Sequence, residues 1–415
     1  MMPGYGQERD LSSIVLPRWG RVEASDGVVP WAVVDEAGRV VEPVARFLRD
    51  FFACGYGALS VRSYAFDLLR WWRWLRVIGV EWDRATSEDV KDFVLWLQQA
   101  AKPRLSPRTG SAFTAGTVNP VTRKAYLDDR YKPRTTRHSN AVLRSFYDFW
   151  IDSGGGPLVN PVPLQRARGQ RANAHHNPLQ PFRAEGRLRY NPKVPKTRPR
   201  ALPDELWAEL FAALGSHRDR AILAIAVSNG ARASEILGIR GVDVDWGEQL
   251  VRVVRKGSRA QQWLPASPEA FVWLRLYLAE VGGLDAQQTV WWTLRRRDRG
   301  EGLHRQPMNY EALRAVFRRV NGLLGTNWSM HDLRHTCSLR MARDENLSLR
   351  DVQTILDHKH LSTTADLYML EEEADVVRRV AAHLEDRKVP PTVEPSMIGG
   401  YEAADLEVLF GGRAA

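Results

Sequence analysis

Between residues 156 and 200 the apolar periodicity of the chain stops. The stretch is rich in Pro, Arg and Asn and has no apolar repeat at helix or strand spacing, whereas the regions on either side do. Such a break makes a chain of 415 residues build two cores, because a single core stops growing at roughly 250–300 residues. The segment reads as a linker, semi-rigid where its prolines lie. Apolar residues at 44% and charged residues at 26% are globular proportions and exclude wholesale disorder. The longest apolar run, residues 221–227, is far short of the roughly 20 residues of a membrane helix. The first part of the chain carries no apolar signal core, so a cytosolic protein is expected. Two cysteines, Cys54 and Cys337, exclude a disulfide scaffold and a Cys-rich zinc site.

Charge is concentrated in two places. The net charge is +10, yet residues 161–200 hold ten basic side chains against Glu185 alone, and residues 101–137 hold nine against Asp128 and Asp129. The rest of the chain is therefore net acidic (10 − 9 − 7 = −6). Basic segments of this kind fit a polyanion track, since each neutralised phosphate releases counterions. Arg62, Arg134, Arg137, Arg166, Arg168, Arg171, Arg187, Arg189, Lys193, Lys196, Arg198 and Arg200 are the candidate DNA contacts.

Residues 1–40 show short apolar runs and no helical period, and read as an N-terminal arm or extension. Residues 41–155 read as a four-helix bundle. Val61, Tyr64, Leu68, Trp71, Leu75 and Ile78 share one helix face, and Gly79 can end that helix. Thr86 to Asp89 form an N-terminal cap, followed by Val90, Phe93, Val94 and Leu97 on one side. Pro133 opens a further helix that Gly154 to Pro157 stop, and an earlier helix lies around Val44 to Phe52. Aromatics at this spacing suit core packing better than base stacking. After the linker at 156–200, residues 201–386 form a second domain. Helices are expected at 206–214 and 219–228, then a β-hairpin in which 250–254 and 262–265 flank the basic turn 255–259, then further helices. Residues 387–415 read as a C-terminal tail.

Four clusters of the second domain could carry chemistry. Gly230, Arg232, Ser234 and Glu235 lie at a helix junction where Ser234 or a neighbour can cap the second helix. Lys256 precedes Gly257 at the hairpin turn. His331 and Arg334 are one helical turn apart, and His331 and His335 have zinc-ligand spacing but no evident third ligand. The last cluster runs from Leu356 through His358, Leu361, Ser362, Thr363 and Thr364 to Tyr368. Taken singly, each has a plain structural reading: an ion pair, a solvated turn tip, a packed tyrosine.

In this order, Gly-x-Arg-x-Ser-Glu, hairpin Lys-Gly, His-x-Leu-Arg-His-Thr and Leu-x-His-x-x-Leu-Ser-Thr-Thr-x-x-x-Tyr, the set resembles the catalytic domain of the tyrosine recombinases, the phage integrase family. It covers about residues 200–385, and the preceding bundle resembles that family's core-binding domain in layout. The resemblance implies a mainly α fold with a small β-hairpin or sheet: a helical-bundle core-binding domain followed by a mixed α/β catalytic domain. By position, Arg232 and Arg334 look like the catalytic arginines and Lys256 like the hairpin lysine. His331 and His358 look like the histidines, Tyr368 like the nucleophile, and Glu235 like the acid that steadies the first arginine. Asp357 stands where the family usually has Gly, and Leu370 where a His often follows the tyrosine.

The residue types suit that chemistry. Planar, always-charged guanidinium groups match the two non-bridging oxygens of a pentacoordinate phosphorane. A phenol with a reference pKa of about 10 needs a base or a positive field to attack near neutral pH. His331 can take that proton, Lys256 can protonate the leaving 5′ oxygen, and His358 can hydrogen-bond a phosphoryl oxygen. A 3′-phosphotyrosyl link keeps the bond energy, so no ATP is implied, and no acidic two-metal cluster is evident. The resemblance implies double-stranded DNA as partner, no membrane, and a monomer in free solution. On paired sites it implies a homo-tetramer, strand exchange through a Holliday junction and room for accessory DNA-bending proteins. A nucleoid-associated cytoplasmic location follows. Val376, Val377, Val380 and Leu384 form an apolar stripe that could dock on a neighbouring subunit or on its own domain. Two rivals stay open: a non-catalytic DNA-binding relative, which would bind but not cut, and a topoisomerase-like enzyme, which would relax plasmids without a specific site.

Overall fold

The computed structural model describes residues 9–102, 113–165, 187–194, 201–298, 300 and 302–357. The chain divides into two compact units, Met1–Thr197 and Arg198–Ala415. The fold is mainly helical with small antiparallel sheets.

Four helices frame the first unit: α1 (Glu42–Ala53), α2 (Ala58–Ile78), α3 (Ser87–Gln99) and α4 (Pro133–Asp152). The expected stripe of α2 is buried at Val61, Leu68, Trp71 and Leu75, and the helix ends where Gly79 takes φ 66°, a left-handed turn that costs glycine little. Thr86 and Asp89 cap α3 reciprocally, the Asp89 carboxylate accepting the Thr86 N–H at 2.9 Å. Pro133 begins α4, where a missing N–H costs nothing. The core between them is aromatic. Phe146 meets Trp72 edge-on with centroids 5.4 Å apart. Trp71 donates its indole N–H to the Tyr147 hydroxyl at 2.8 Å, and that hydroxyl donates to the Trp82 carbonyl at 2.9 Å. Large rings thus fill the bundle, with the polar atoms of Trp71 and Tyr147 paired, while the indole N–H of the fully buried Trp74 has no hydrogen-bond partner among the described residues.

Two segments are more structured than their sequence suggests. Within the expected arm, β1 (Arg21–Ala24) and β2 (Trp31–Val34) pair antiparallel with Val22 opposite Val33. Trp19 and Val33 enter the bundle core, and the Arg73 guanidinium donates to the Trp19 carbonyl at 2.6 Å. Strands this short leave too few residues for a period to show. Within the expected linker, Val162 is buried in the same core, Leu164 bridges to Leu188, and Asn140 donates to the Asn191 side chain at 3.0 Å.

The second unit begins with α5 (Asp204–Ala212), α6 (His217–Asn229) and α7 (Ala233–Leu237). A three-stranded antiparallel sheet follows, ordered β3 (Val244–Asp245), β4 (Leu250–Val254), β5 (Gln261–Pro265). Then come α8 (Pro268–Val281), a two-stranded ribbon of β6 (Arg297–Asp298) and β7 (Leu303–His304), α9 (Tyr310–Leu324), α10 (Met330–Arg343) and α11 (Leu349–Leu356). The apolar run at 221–226 is wholly buried in α6, which packs against α8 and α10. The expected hairpin is β4 with β5, in a register that sets buried Val251 opposite buried Leu264. The ribbon interrupts the helices expected after the hairpin. Among the described residues, no helix is long and apolar enough to cross a membrane.

Candidate active site

The candidate site grows from the end of α6. Gly230 closes that helix at φ 65°, and a Cβ there would stand 2.8 Å from a methyl of Leu356, so the position demands glycine for both its torsion and its close approach. The fully buried Asn229 side chain accepts the Ala231 N–H at 3.1 Å and donates to the Pro265 carbonyl at 3.1 Å, which fixes the turn. Arg232 occupies the N-cap of α7 without a side-chain cap, and Ser234 lies inside the helix. The Glu235 carboxylate covers the helix end instead, accepting the Arg232 N–H at 2.9 Å and the Arg232 guanidinium at 2.8 Å.

Glu235 is only 3% exposed and reaches beyond its own helix. It accepts the Arg255 guanidinium at 3.1 Å and the backbone N–H of Lys256 at 3.2 Å. Burial is the largest single influence on this carboxyl and pushes its pKa up. The hydrogen bonds and charge of Arg232, with the Lys256 N–H, outweigh it and hold the carboxyl below the usual range. One carboxylate therefore orients an arginine and ties α7 to the root of the lysine hairpin.

Arg334 arrives from α10, 7% exposed. Its Nη1 donates to the Gly230 carbonyl at 2.6 Å and its Nη2 to the Leu356 carbonyl. Burial, then the repulsion of Arg232, pull its pKa down to about 10, which still leaves it charged at neutral pH. Arg232 lies beside the same helix end, with its Nη1 3.6 Å from the Asp357 carboxylate. Two guanidinium groups about a hundred residues apart thus converge where α6 and α11 end. Asp357 follows α11 with φ 51°, the torsion for which the family's usual glycine is suited.

The remaining expected residues divide. Lys256 is exposed at the hairpin tip, where Arg259 takes φ 59°. His331 is exposed while Arg334 is buried. The two therefore share a side of α10 less closely than their spacing suggests, because three residues on a helix leave an offset of about 60°. The His331 and His335 rings stand 4.2 Å apart, and among the described residues no third metal ligand joins them. His358 and Tyr368 lie outside the described residues. Arg255 is a residue that sequence reasoning missed. It was visible only as part of a basic turn, yet it continues the inward parity of Val251 and Val253, and that alternation marks it as buried.

Among the candidate DNA contacts, Arg62 and Arg134 line an open groove of about 580 Å³ in the first unit, with Phe66, Arg70, Lys132 and His138. The Arg62 guanidinium lies over the Trp31 ring at 5.0 Å. Arg137, Arg187, Arg189 and Lys193 are exposed, and Arg166, Arg168, Arg171, Lys196, Arg198 and Arg200 fall outside the described residues.

Comparison with known proteins matches residues 204–374 to the phage integrase family and residues 44–113 to the phage integrase N-terminal SAM-like domain. Transposase A from transposon Tn554 of Staphylococcus aureus is 22% identical over 382 residues, covering 89% of this chain and 98% of that protein. Tyrosine recombinase XerD of Pseudomonas aeruginosa is 32% identical over 246 residues, covering 57% of this chain and 72% of XerD. Among solved structures, the Tn1549 transposon integrase in complex with transposon right end DNA shares the fold at TM-score 0.53 and 13% identity, covering 83% of this chain and 99% of that one. Motif order, converging arginines and the XerD likeness agree: the chain belongs to the phage integrase family of tyrosine recombinases.

Proposed function

We propose that this chain cuts and rejoins double-stranded DNA at specific sites through a 3′-phosphotyrosyl intermediate on Tyr368. The observation that carries the reading is the convergence of Arg232 and Arg334 on one helix junction, with Glu235 steadying the first and Lys256 on the adjoining hairpin. Two fixed cations at one place suit the doubly charged phosphorane of a phosphodiester under attack. In the proposed step the Tyr368 phenol oxygen bonds to phosphorus and gives its proton to His331. The bond to the 5′ oxygen breaks, and that oxygen takes a proton from Lys256. His358 hydrogen-bonds a phosphoryl oxygen. One phosphodiester becomes one phosphotyrosyl ester plus a 5′-hydroxyl, so no ATP is consumed, and the arginines supply the charge neutralisation without a metal. A 5′-hydroxyl from another strand reverses the step and joins new ends. Exchange between two sites then calls for a tetramer on paired DNA and a Holliday junction. The solved structures of similar fold bound to transposon-end and difH DNA support the nucleic-acid partner.

A nicked suicide substrate, from which the cleaved end diffuses away, tests the reading. Wild-type protein should trap a covalent adduct, and Tyr368→Phe should trap none. An undiminished adduct in that variant would refute Tyr368 as nucleophile.

A further inference from the structure

Arg255 has no part in the motif set, yet it is 1% exposed and engaged on every side. Its Nη1 donates to Glu235 at 3.1 Å, its Nε to Gln262 at 2.8 Å, and its Nη2 to the Ile355 carbonyl. Gln262, opposite Val253 on β5, donates to the Thr354 carbonyl at 3.1 Å. With Arg334 on Leu356, three successive carbonyls of the last turn of α11 are taken by side chains from β5, from Arg255 just after β4, and from α10. The last carbonyls of a helix have no partner within it and carry partial negative charge, so cations and amides dock there well. The clamp fixes where α11 ends, and its Arg255 prong, directly after β4, is the residue next to Lys256. The backbone N–H of Arg255 also closes the hairpin turn on the Ala260 carbonyl at 2.8 Å.

We propose that Arg255 is a positioning residue for strand cleavage, acting by holding the Lys256 hairpin against the end of α11. This deepens the reading of Lys256 as proton donor and rests on it. A flexible lysine at an exposed tip delivers a proton only if the root of its hairpin is held, and small displacements of a catalytic group cost large factors in rate. Arg255 touches no reacting atom in this account and acts through Lys256.

The leaving group separates this role from a merely structural one. A 5′-bridging sulfur departs as thiolate, whose conjugate acid has a pKa of about 8.5, so it needs no general acid. Single-turnover cleavage is measured on oxygen-bridged and sulfur-bridged suicide DNA. The proteins are wild type, Lys256→Ala, Arg255→Gln and Arg255→Lys. Wild-type adduct on both substrates upholds the parent reading. A Lys256→Ala defect that sulfur relieves upholds the proton-donor role. Arg255→Gln should then cut oxygen-bridged DNA roughly 10–100-fold more slowly, as expected for a misplaced acid. Its sulfur-bridged rate should stay close to wild type, and Arg255→Lys should lie between. Equal slowing on both substrates, or no slowing, would overturn the proposal. If the Arg255 variants do not fold, Gln262→Ala, which removes one prong and one Arg255 partner, decides by the same ratio of rates.

Discussion

The two units use buried charge differently. In the first, Asp67 is buried on α2 among Arg70, Ser139 and His138, the last at 2.8 Å, and this network staples α2 to α4. Aromatic packing surrounds it, and every member belongs to the two helices it joins. In the second, Glu235 binds two arginines and a backbone N–H drawn from the N-cap of α7 and the turn that follows β4, while Arg255 and Arg334 reach across to α11. Here cations outnumber the carboxylate, and the surplus positive charge gathers at one helix junction. A network closed on itself serves the fold. A network left electrostatically open, with desolvated cations, costs stability and suits an arriving anion such as the scissile phosphate proposed above.

Removing each carboxylate tests the contrast, and the largest effect is expected at Glu235. Glu235→Gln leaves Arg255 buried without a counter-charge, which should cost about 3–5 kcal/mol. It should also slow adduct formation even at saturating DNA, because Arg232 loses its orienting partner. Asp67→Asn should cost less, about 1–3 kcal/mol, since Arg70 and His138 can turn to water. Its cleavage rate at saturating DNA should stay at the wild-type level. Urea denaturation and suicide-substrate kinetics on both variants give the comparison. A slowed Asp67→Asn with an unslowed Glu235→Gln would invert it.

How much of this was legible depended on length of signal. The helix stripe on α2, the caps at Gly79 and Thr86, and the hairpin around 255–259 could be read because each repeats or brackets a periodic pattern. The two strands at 21–34 and the packing of Val162 could not, since four residues or one carry no period. At the candidate site, residue order pointed to Arg232, Glu235, Lys256 and Arg334, because the proposed chemistry calls for those residue types. Their partners were hidden: Gly230, Ile355 and Leu356 contribute backbone carbonyls or close approach, which no side-chain identity announces. Arg255 stood between. Its parity with Val251 and Val253 predicts burial, but its charge argues for solvent, and only the Glu235 carboxylate resolves the conflict.

A smaller effect should distinguish the networks by pH. The Asp67 hydrogen bond raises the His138 pKa above 6.5, against burial and Arg70. A raised pKa means that protonated His138 stabilises the fold. That contribution is complete below the unfolded value of about 6.5 and is lost as pH rises through the folded value. Asp67, whose carboxyl is depressed by His138, Arg70 and Ser139 despite burial, loses its contribution only in acid, below the ordinary carboxylate range. Wild type should therefore gain stability relative to His138→Asn between about pH 8.5 and about pH 6. The gain should stay under about 1 kcal/mol because the imidazole is half exposed. Denaturation midpoints for both proteins at the two pH values measure it, and a gain in the opposite direction would mean that His138 folds neutral.

The smallest effect is expected at Asp357, where the surplus charge of the second network is partly answered. Its carboxylate lies 3.6 Å from Arg232, at the junction proposed for the scissile phosphate, so it competes weakly for the same guanidinium. A partly exposed pair of this kind is worth at most about 1 kcal/mol, so its removal should tighten DNA binding by roughly 2–5-fold. Asp357→Asn isolates that charge, because asparagine tolerates the left-handed torsion of φ 51° as aspartate does. Asp357→Gly adds relief of the torsion against greater freedom in the unfolded chain, two terms that nearly cancel and leave stability within about 1 kcal/mol of wild type. Equal tightening in both variants, read from binding isotherms at fixed salt, would assign the effect to charge. Tightening in the glycine variant alone would assign it to the turn, and the helix junction would then owe its anion preference to the arginines and the backbone with no contribution from residue 357.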